Sequence, residues 1–489
     1  MSSDSESPYS GNEDPFAFFG ADIDDATDPP GLKCELSTYD ARYNAKGQQI
    51  RLQAGRKRNL GAKRPRDHDA ALVLTRYFDT DKILEYTQLE VRSPHLKTAL
   101  KSVIPKYPGV NIHAKKVIIR DLPKCLFHYR LELQQYGNRL KDPEAVQHLV
   151  FGLTYMYDTL QEEISTYFNL MESPGIEPGL PFLSLWMAYR PGDLIYSKSN
   201  GVDRVYQLHS MTRCECLVPF CRKSRWELAL HEIEYNGADF GYHNTLVYID
   251  PYEGHIPLKD LKAFPLRHHP NQRTISELLF ARGKRFVELL GVHFLSYDGV
   301  AEALSGSRNK TFLGEDDEFP LQSLQAWHIY VFSSITTNLW QVKSRIMIDA
   351  KTFYAARPSH KPAFVPQGKA IRTEDNDHLK LTDAEFMICN HEMPGFSLTD
   401  KRWCFFNIDN IREVDFNLRA FQSLLLPQDQ KEMIHSLVKI HSDERLSFDD
   451  VIKGKGRGMI FLLHGMPGVG KTLTAGMYIK IRPCHYPWI

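Results

Sequence analysis

The sequence predicts an α+β protein. A mixed α/β N-terminal region with a β-rich middle part is followed by one strand, a glycine-rich loop and a helix of the kind that opens a parallel α/β module. Three observations carry this. Short apolar runs with β-branched members, Ala71-Leu72-Val73-Leu74 and Lys116-Val117-Ile118-Ile119, read as strands beside a helix-periodic stretch. Residues 182–264 are β-rich, with strand alternation and hairpin signals. Met459-Ile460-Phe461-Leu462-Leu463 is a fully apolar run that suits a strand buried on both faces.

Taken in order, residues 1–70 read as a disordered tail, acidic and then basic. Residues 1–32 carry Asp4, Glu6, Glu13, Asp14, Asp22, Asp24, Asp25 and Asp28 with no Lys or Arg, too little apolar surface to fold alone. Phe16, Phe18 and Phe19 form an aromatic island there, read as part of a solvated tail rather than a partner-binding motif. Residues 51–66 are basic, and the clusters Arg56-Lys57-Arg58 and Lys63-Arg64-Pro65-Arg66 resemble a bipartite nuclear-import signal at residues 56–66.

From residue 71 to about 425 the chain reads as one N-terminal domain region. Asp142-Pro143-Glu144 opens a helix, since Pro suits the first turn and acids favour its N-terminus. Val146, Leu149, Val150 and Leu153 continue it at helical spacing to about Leu170. Residues 173–179, rich in Pro and Gly, form a loop. Residues 226–233 alternate as a strand, Tyr235-Asn236-Gly237 signals a hairpin, and residues 245–249 return. A helix follows over residues 276–290, with Leu278, Leu279, Arg282, Phe286, Leu289 and Leu290 near one face and Gly291 as its stop. Residues 305–320 read as an exposed acidic loop, and residues 427–441 as a second amphipathic helix.

Composition bounds the function. With 42% hydrophobic and 25% charged residues, the 489-residue chain is not wholly disordered. Sixty Lys+Arg balance sixty Asp+Glu, so no bulk field selects nucleic acid or membrane. No apolar run is long enough to span a bilayer, and the start of the chain lacks the basic region of a secretory signal. Eight cysteines in this length do not make a disulfide framework, which points to an intracellular setting, cytoplasm or nucleus. Cys214, Cys216 and Cys221 with His209 or His231 lack zinc-finger spacing and read as structural. His268-His269 reads as a loop pair.

The chemistry is concentrated at residues 465–473. Gly465-Met466-Pro467-Gly468-Val469-Gly470-Lys471-Thr472 fits GxxxxGK[ST], and Leu473 continues into a helix that Pro483 stops. Glycines let the backbone turn its N–H groups onto phosphate oxygens, and the helix N-terminus adds its dipole. Lys471 reaches the β- and γ-phosphates, and the Thr472 hydroxyl ligates Mg²⁺. These residues point to the phosphates of a nucleotide and Mg²⁺ as ligands, and the resemblance below makes that nucleotide ATP.

Residues 465–475 resemble the Walker A segment of AAA-type ATPases, and with residues 448–464 they are similar to a fungal-type AAA family that has a large uncharacterised N-terminal domain. Phe240-Gly241-Tyr242, Tyr252-Glu253-Gly254, Phe264-Pro265-Leu266, residues 345–349 and residues 426–431 resemble it too, so the likeness spans roughly residues 71–475. Met466 stands where the family usually has Pro, and Gly476 where it has an acid. The resemblance implies an ATPase that couples hydrolysis to remodelling of a protein client, acting as a homo-oligomeric ring, with Asp450, Val451 and Gly454 near the adenine. It also implies a Walker B Asp-Glu strand, a sensor and an arginine finger, which do not occur among residues 473–489. The expectation is therefore a module truncated just after Walker A (residues 426–489), with no catalytic residue assigned and a marginally stable segment over 459–489. The alternative is a non-catalytic interaction protein with a vestigial P-loop.

Overall fold

The computed structural model describes residues 31–43, 47–54, 70–215, 224–303, 338–365, 371–372 and 381–415, with a few single positions beyond them. The chain divides into two compact units, Met1–Arg190 and Pro191–Ile489. The mixed α+β class expected from the sequence is what both contain.

The first unit is built on a five-stranded sheet. Its strands are β1 (Lys33–Tyr43), β2 (Gln49–Gln53), β3 (Ala70–Phe78), β4 (Leu84–Val91) and β5 (Val117–Arg120), in the order β2-β1-β3-β4-β5. β1 lies parallel to β3, with Leu36 to Ala41 opposite Leu72 to Tyr77. The other neighbours are antiparallel. The tail expected over residues 1–70 is thus corrected: residues 33–43 and 49–53 are strands. Their charged residues hide the pattern, because β1 is an inner strand whose partner lies far along the chain. Asp40 is buried and bonds Arg76 Nε and Arg42 Nη2 at 2.8 Å each, so a charged residue there is satisfied rather than solvated.

Helices cover this sheet: α1 (Pro94–Val103), α2 (Lys124–His128), α3 (Arg130–Gly137), α4 (Pro143–Thr159) and α5 (Gln161–Met171). The Ser93 hydroxyl accepts from Leu96 N at 3.1 Å and caps α1, whose Leu96, Ala99 and Leu100 are buried. As expected, Asp142 caps α4, accepting from Glu144 N. The single helix expected to run to about Leu170 breaks at Leu160, whose φ −109° and ψ 23° leave helical geometry before α5 begins at Gln161. Gly152 lets α4 approach α1, since a Cβ there would meet Leu96 Cδ2 at 2.8 Å. His128 is buried between Tyr107 Oη on Nδ1 and the Trp186 carbonyl on Nε2, both at 2.9 Å. A short strand, β6 (Gly179–Pro181), and a 3₁₀ turn over Phe182–Met187 end the unit.

Among the described residues the second unit holds two large sheets. The first contains β7 (Leu194–Ser199), β8 (Val202–Glu215), β9 (Ser224–Tyr235), β10 (Asp239–Ile249), β12 (Ala263–Pro265) and β15 (Ile371–Arg372), in the order β12-β7-β8-β9-β10-β15. β11 (His255–Pro257) lies between β10 and β12 in the chain. The β9–β10 turn falls where Asn236-Gly237 predicts it. Gly237 has φ +93°, and a Cβ there would sit 2.7 Å from Lys351 Cα, so both turn geometry and packing require glycine.

The second sheet pairs β13 (Val292–Ala303), β14 (Asn338–Asp349), β16 (Glu392–Ser397) and β17 (Arg402–Asn407) in a closed circuit, since β14 bonds both β13 and β16 while β17 returns to β13. β18 (Ile411–Arg412) adds to the free part of β13. The helix α6 (Gln272–Glu288) buries Leu279, Arg282, Gly283 and Phe286, whereas Leu278, placed on that face by periodicity, is exposed. The short helices α7 (Ala350–Ala356) and α8 (Asp383–Met387) are the other α-helices among the unit's described residues up to residue 415. Among the described residues no helix is long and apolar enough to cross a membrane.

Candidate functional site

The most unusual chemistry lies on the β9–β10 hairpin. Alternate residues of β9 point to one face, and this face runs Trp226, Leu228, Leu230, Glu232, Glu234. The first three are fully buried, so the apolar face of the strand ends in two glutamates. In the antiparallel register Glu232 stands opposite His243, Glu234 opposite Gly241, and Leu230 opposite Thr245. Directly opposed residues share a face, which brings both carboxylates and the imidazole together.

Each carboxylate is fixed from outside. Arg204 Nη2 on β8 bonds Glu232 Oε2 at 2.6 Å, and the Thr245 hydroxyl donates to Glu232 Oε1 at 2.6 Å. Asn390 Nδ2, just before β16, donates to Glu234 Oε1 at 2.9 Å. His243 Nδ1 lies 3.9 Å from Glu232 Oε1 and 4.0 Å from Glu234 Oε1, beyond hydrogen-bonding distance. That nitrogen is buried and has no hydrogen-bond partner. The potential donor atoms of Glu232, Glu234 and His243 all lie within 4.8 Å of one another, and these three residues could hold a metal ion.

The electrostatics follow from burial. Burial alone raises the Glu232 carboxyl, but the Arg204 guanidinium, the nearby His243 and the Thr245 hydroxyl overcome it and hold the group below the carboxylate range. Glu234 is pushed up by burial and by the charge on Glu232. The nearby Glu232 carboxylate holds His243 up against its burial. Glu392 is pushed up to about 7 by burial and by Glu302, and His391 down to about 3 by burial and by Arg204 and Arg282. Glu234 also lines a cleft with Tyr354, Asn390, Glu392, Met393 and Phe405. The arrangement can hold a cation, a proton or a metal ion, between two carboxylates.

The site expected from the sequence lies elsewhere. Gly465, Pro467, Gly468, Val469, Gly470, Lys471, Thr472 and Leu473 are outside the described residues, as is most of the helix expected over residues 427–441. Met466 and Leu462 are described, and both are exposed. Of the cysteine cluster, Cys214 lies on β8 and its thiol faces the Arg225 carbonyl, while Cys216 and Cys221 are outside the described residues. Cys214 is five residues beyond His209 on the same strand, about 16 Å at ordinary strand rise, so the two do not share a site. His209 and His231 stack with ring centroids 4.7 Å apart. His268 ends a 3₁₀ turn and His269 stacks on Phe264.

Sequence reading missed Glu232, Glu234 and His243. The signal was in the strand alternation, which puts both acids in phase with Trp226, Leu228 and Leu230.

Residues 178–270 match a family described as a domain of unknown function, DUF7025. Arg204, Glu232, Glu234, His243 and Thr245 all fall within the matched segment. No curated protein and no solved structure matches the chain.

Proposed function

We propose that this chain binds ATP with Mg²⁺ through Gly465 to Leu473, as the nucleotide-binding segment of an AAA-type ATPase. The observation that supports it is the spacing of Gly465, Gly470, Lys471 and Thr472, with one residue, His464, between the motif and the five apolar residues 459–463, the strand–loop–helix order that phosphate binding needs. Lys471 contacts the β- and γ-phosphates and Thr472 ligates Mg²⁺. In the complete family form, hydrolysis would drive remodelling of a protein client by a homo-oligomeric ring, and the two folded units would recognise that client or transmit the movement.

Titration of the full chain with a fluorescent ATP analogue in Mg²⁺ tests this. Saturable binding that Lys471→Ala abolishes supports the reading. A folded protein whose affinity is unchanged by Lys471→Ala, or that shows no binding, overturns it and favours a non-catalytic interaction protein with a vestigial P-loop.

A further inference from the structure

We propose that Glu232, Glu234 and His243 form a binding site for one divalent transition-metal ion of the zinc class, separate from any ion carried with a nucleotide. The donor set comes first. Two carboxylates and one imidazole nitrogen converge with all donor atoms within 4.8 Å. A small inward movement brings them to the edges of about 3.4 Å that a tetrahedral ion with bonds of about 2.1 Å requires.

The second observation is independent of the acids. His243 Nδ1 is buried, points at both carboxylates and makes no hydrogen bond. Buried polar atoms are rarely left unmet, and a cation placed among the three groups meets this one. The third is the support. Arg204 and Thr245 orient Glu232, and Asn390 orients Glu234, as outer partners do around metal ligands. The carboxylate oxygens that accept these bonds keep lone pairs for an ion.

The donor chemistry selects the metal. Imidazole with carboxylates suits zinc and its first-row neighbours, whereas calcium and magnesium take mostly oxygen and more ligands. Three protein ligands leave a coordination position for water or a small ligand. The rival occupant is a proton on His243 shared between the two glutamates, which needs the same nitrogen and predicts no metal uptake.

The test uses the full chain without nucleotide, dialysed against cobalt(II) or zinc(II) chloride. The expected result is one ion per chain, a cobalt spectrum without a thiolate band, and affinity at least about tenfold weaker in His243→Gln and in Glu234→Gln. No uptake by the folded wild type overturns the proposal in favour of the proton. Uptake that both folded variants retain unchanged also overturns it. If the variants do not fold, X-ray absorption of the zinc-loaded wild type decides. A shell of nitrogen and oxygen at about 2.0–2.2 Å with one imidazole supports the site, and a sulfur shell at about 2.3 Å assigns the ion to cysteines and overturns it.

Discussion

His128 shows how one residue can set an acid limit on the first unit. Its Nε2–H donates to the Trp186 carbonyl, so Nδ1 is left to accept from Tyr107 Oη, and the ring is neutral. Burial pushes its pKa down to about 3, with Arg190, Lys124 and Arg130 adding to the effect and only the bond to Trp186 opposing it. In the unfolded chain the ring titrates at about 6.5. Between those values the unfolded state carries the extra proton, so the stability that neutral His128 contributes is complete above about pH 6.5 and is lost as pH falls toward 3. Replacing His128 with Gln, which keeps a donor toward Trp186, is expected to reduce the acid-side slope of stability by about 1.4 kcal/mol per pH unit within that window. Denaturant unfolding of wild type and variant between pH 7 and 4 measures this, and equal slopes would show that His128 is not the group titrating.

At the scale of elements, helix α6 meets helix α8 through a missing side chain. A Cβ on Gly283 would overlap the Phe386 carbonyl, lying 2.6 Å from its carbon and 2.9 Å from its Cα. In an exposed helix Gly→Ala gains roughly 1 kcal/mol from propensity. Here backbone of α8 must move instead, a cost of about 1–3 kcal/mol. Gly283→Ala is therefore expected to destabilise the protein by about 2 kcal/mol, and a rise in the denaturation midpoint would refute the contact. The sequence showed α6 through its periodicity but not this contact, because Gly283 and Phe386 are brought together only by the fold. The β9–β10 hairpin divides in the same way. Its strands and turn were legible in the alternation of residues 226–233 and in Asn236-Gly237. Its acids were not, because a glutamate on the apolar face is stable only with partners such as Arg204 and Asn390, distant in sequence.

For the whole molecule, the first consequence concerns where folding can begin. Composition places the start of globular chain at residue 71, yet β1 lies against β3 from Lys33 to Ala41 and fills the interior of the first sheet. The Leu32 carbonyl also meets His148 Nε2 at 3.1 Å. A chain begun at Ala71 is expected to expose the edge of β3, whose Ala71, Leu72 and Val73 are buried, and to aggregate or lose thermal stability relative to one begun at residue 31. Light scattering and thermal melts of the two chains compare them directly, and equal behaviour would mean β1 adds nothing. The boundary was hidden because parallel pairing between distant strands leaves no local trace. The same pairing has a consequence in time. Translation at about 5–20 residues per second leaves β1 outside the ribosome for about 2–7 seconds before its partner is synthesised. β2 can cover one edge of β1 at once, but throughout that wait the edge that will meet β3 is open to other nascent chains, and Lys33, Glu35, Asp40 and Arg42 keep a strand that must wait from finding the wrong companion.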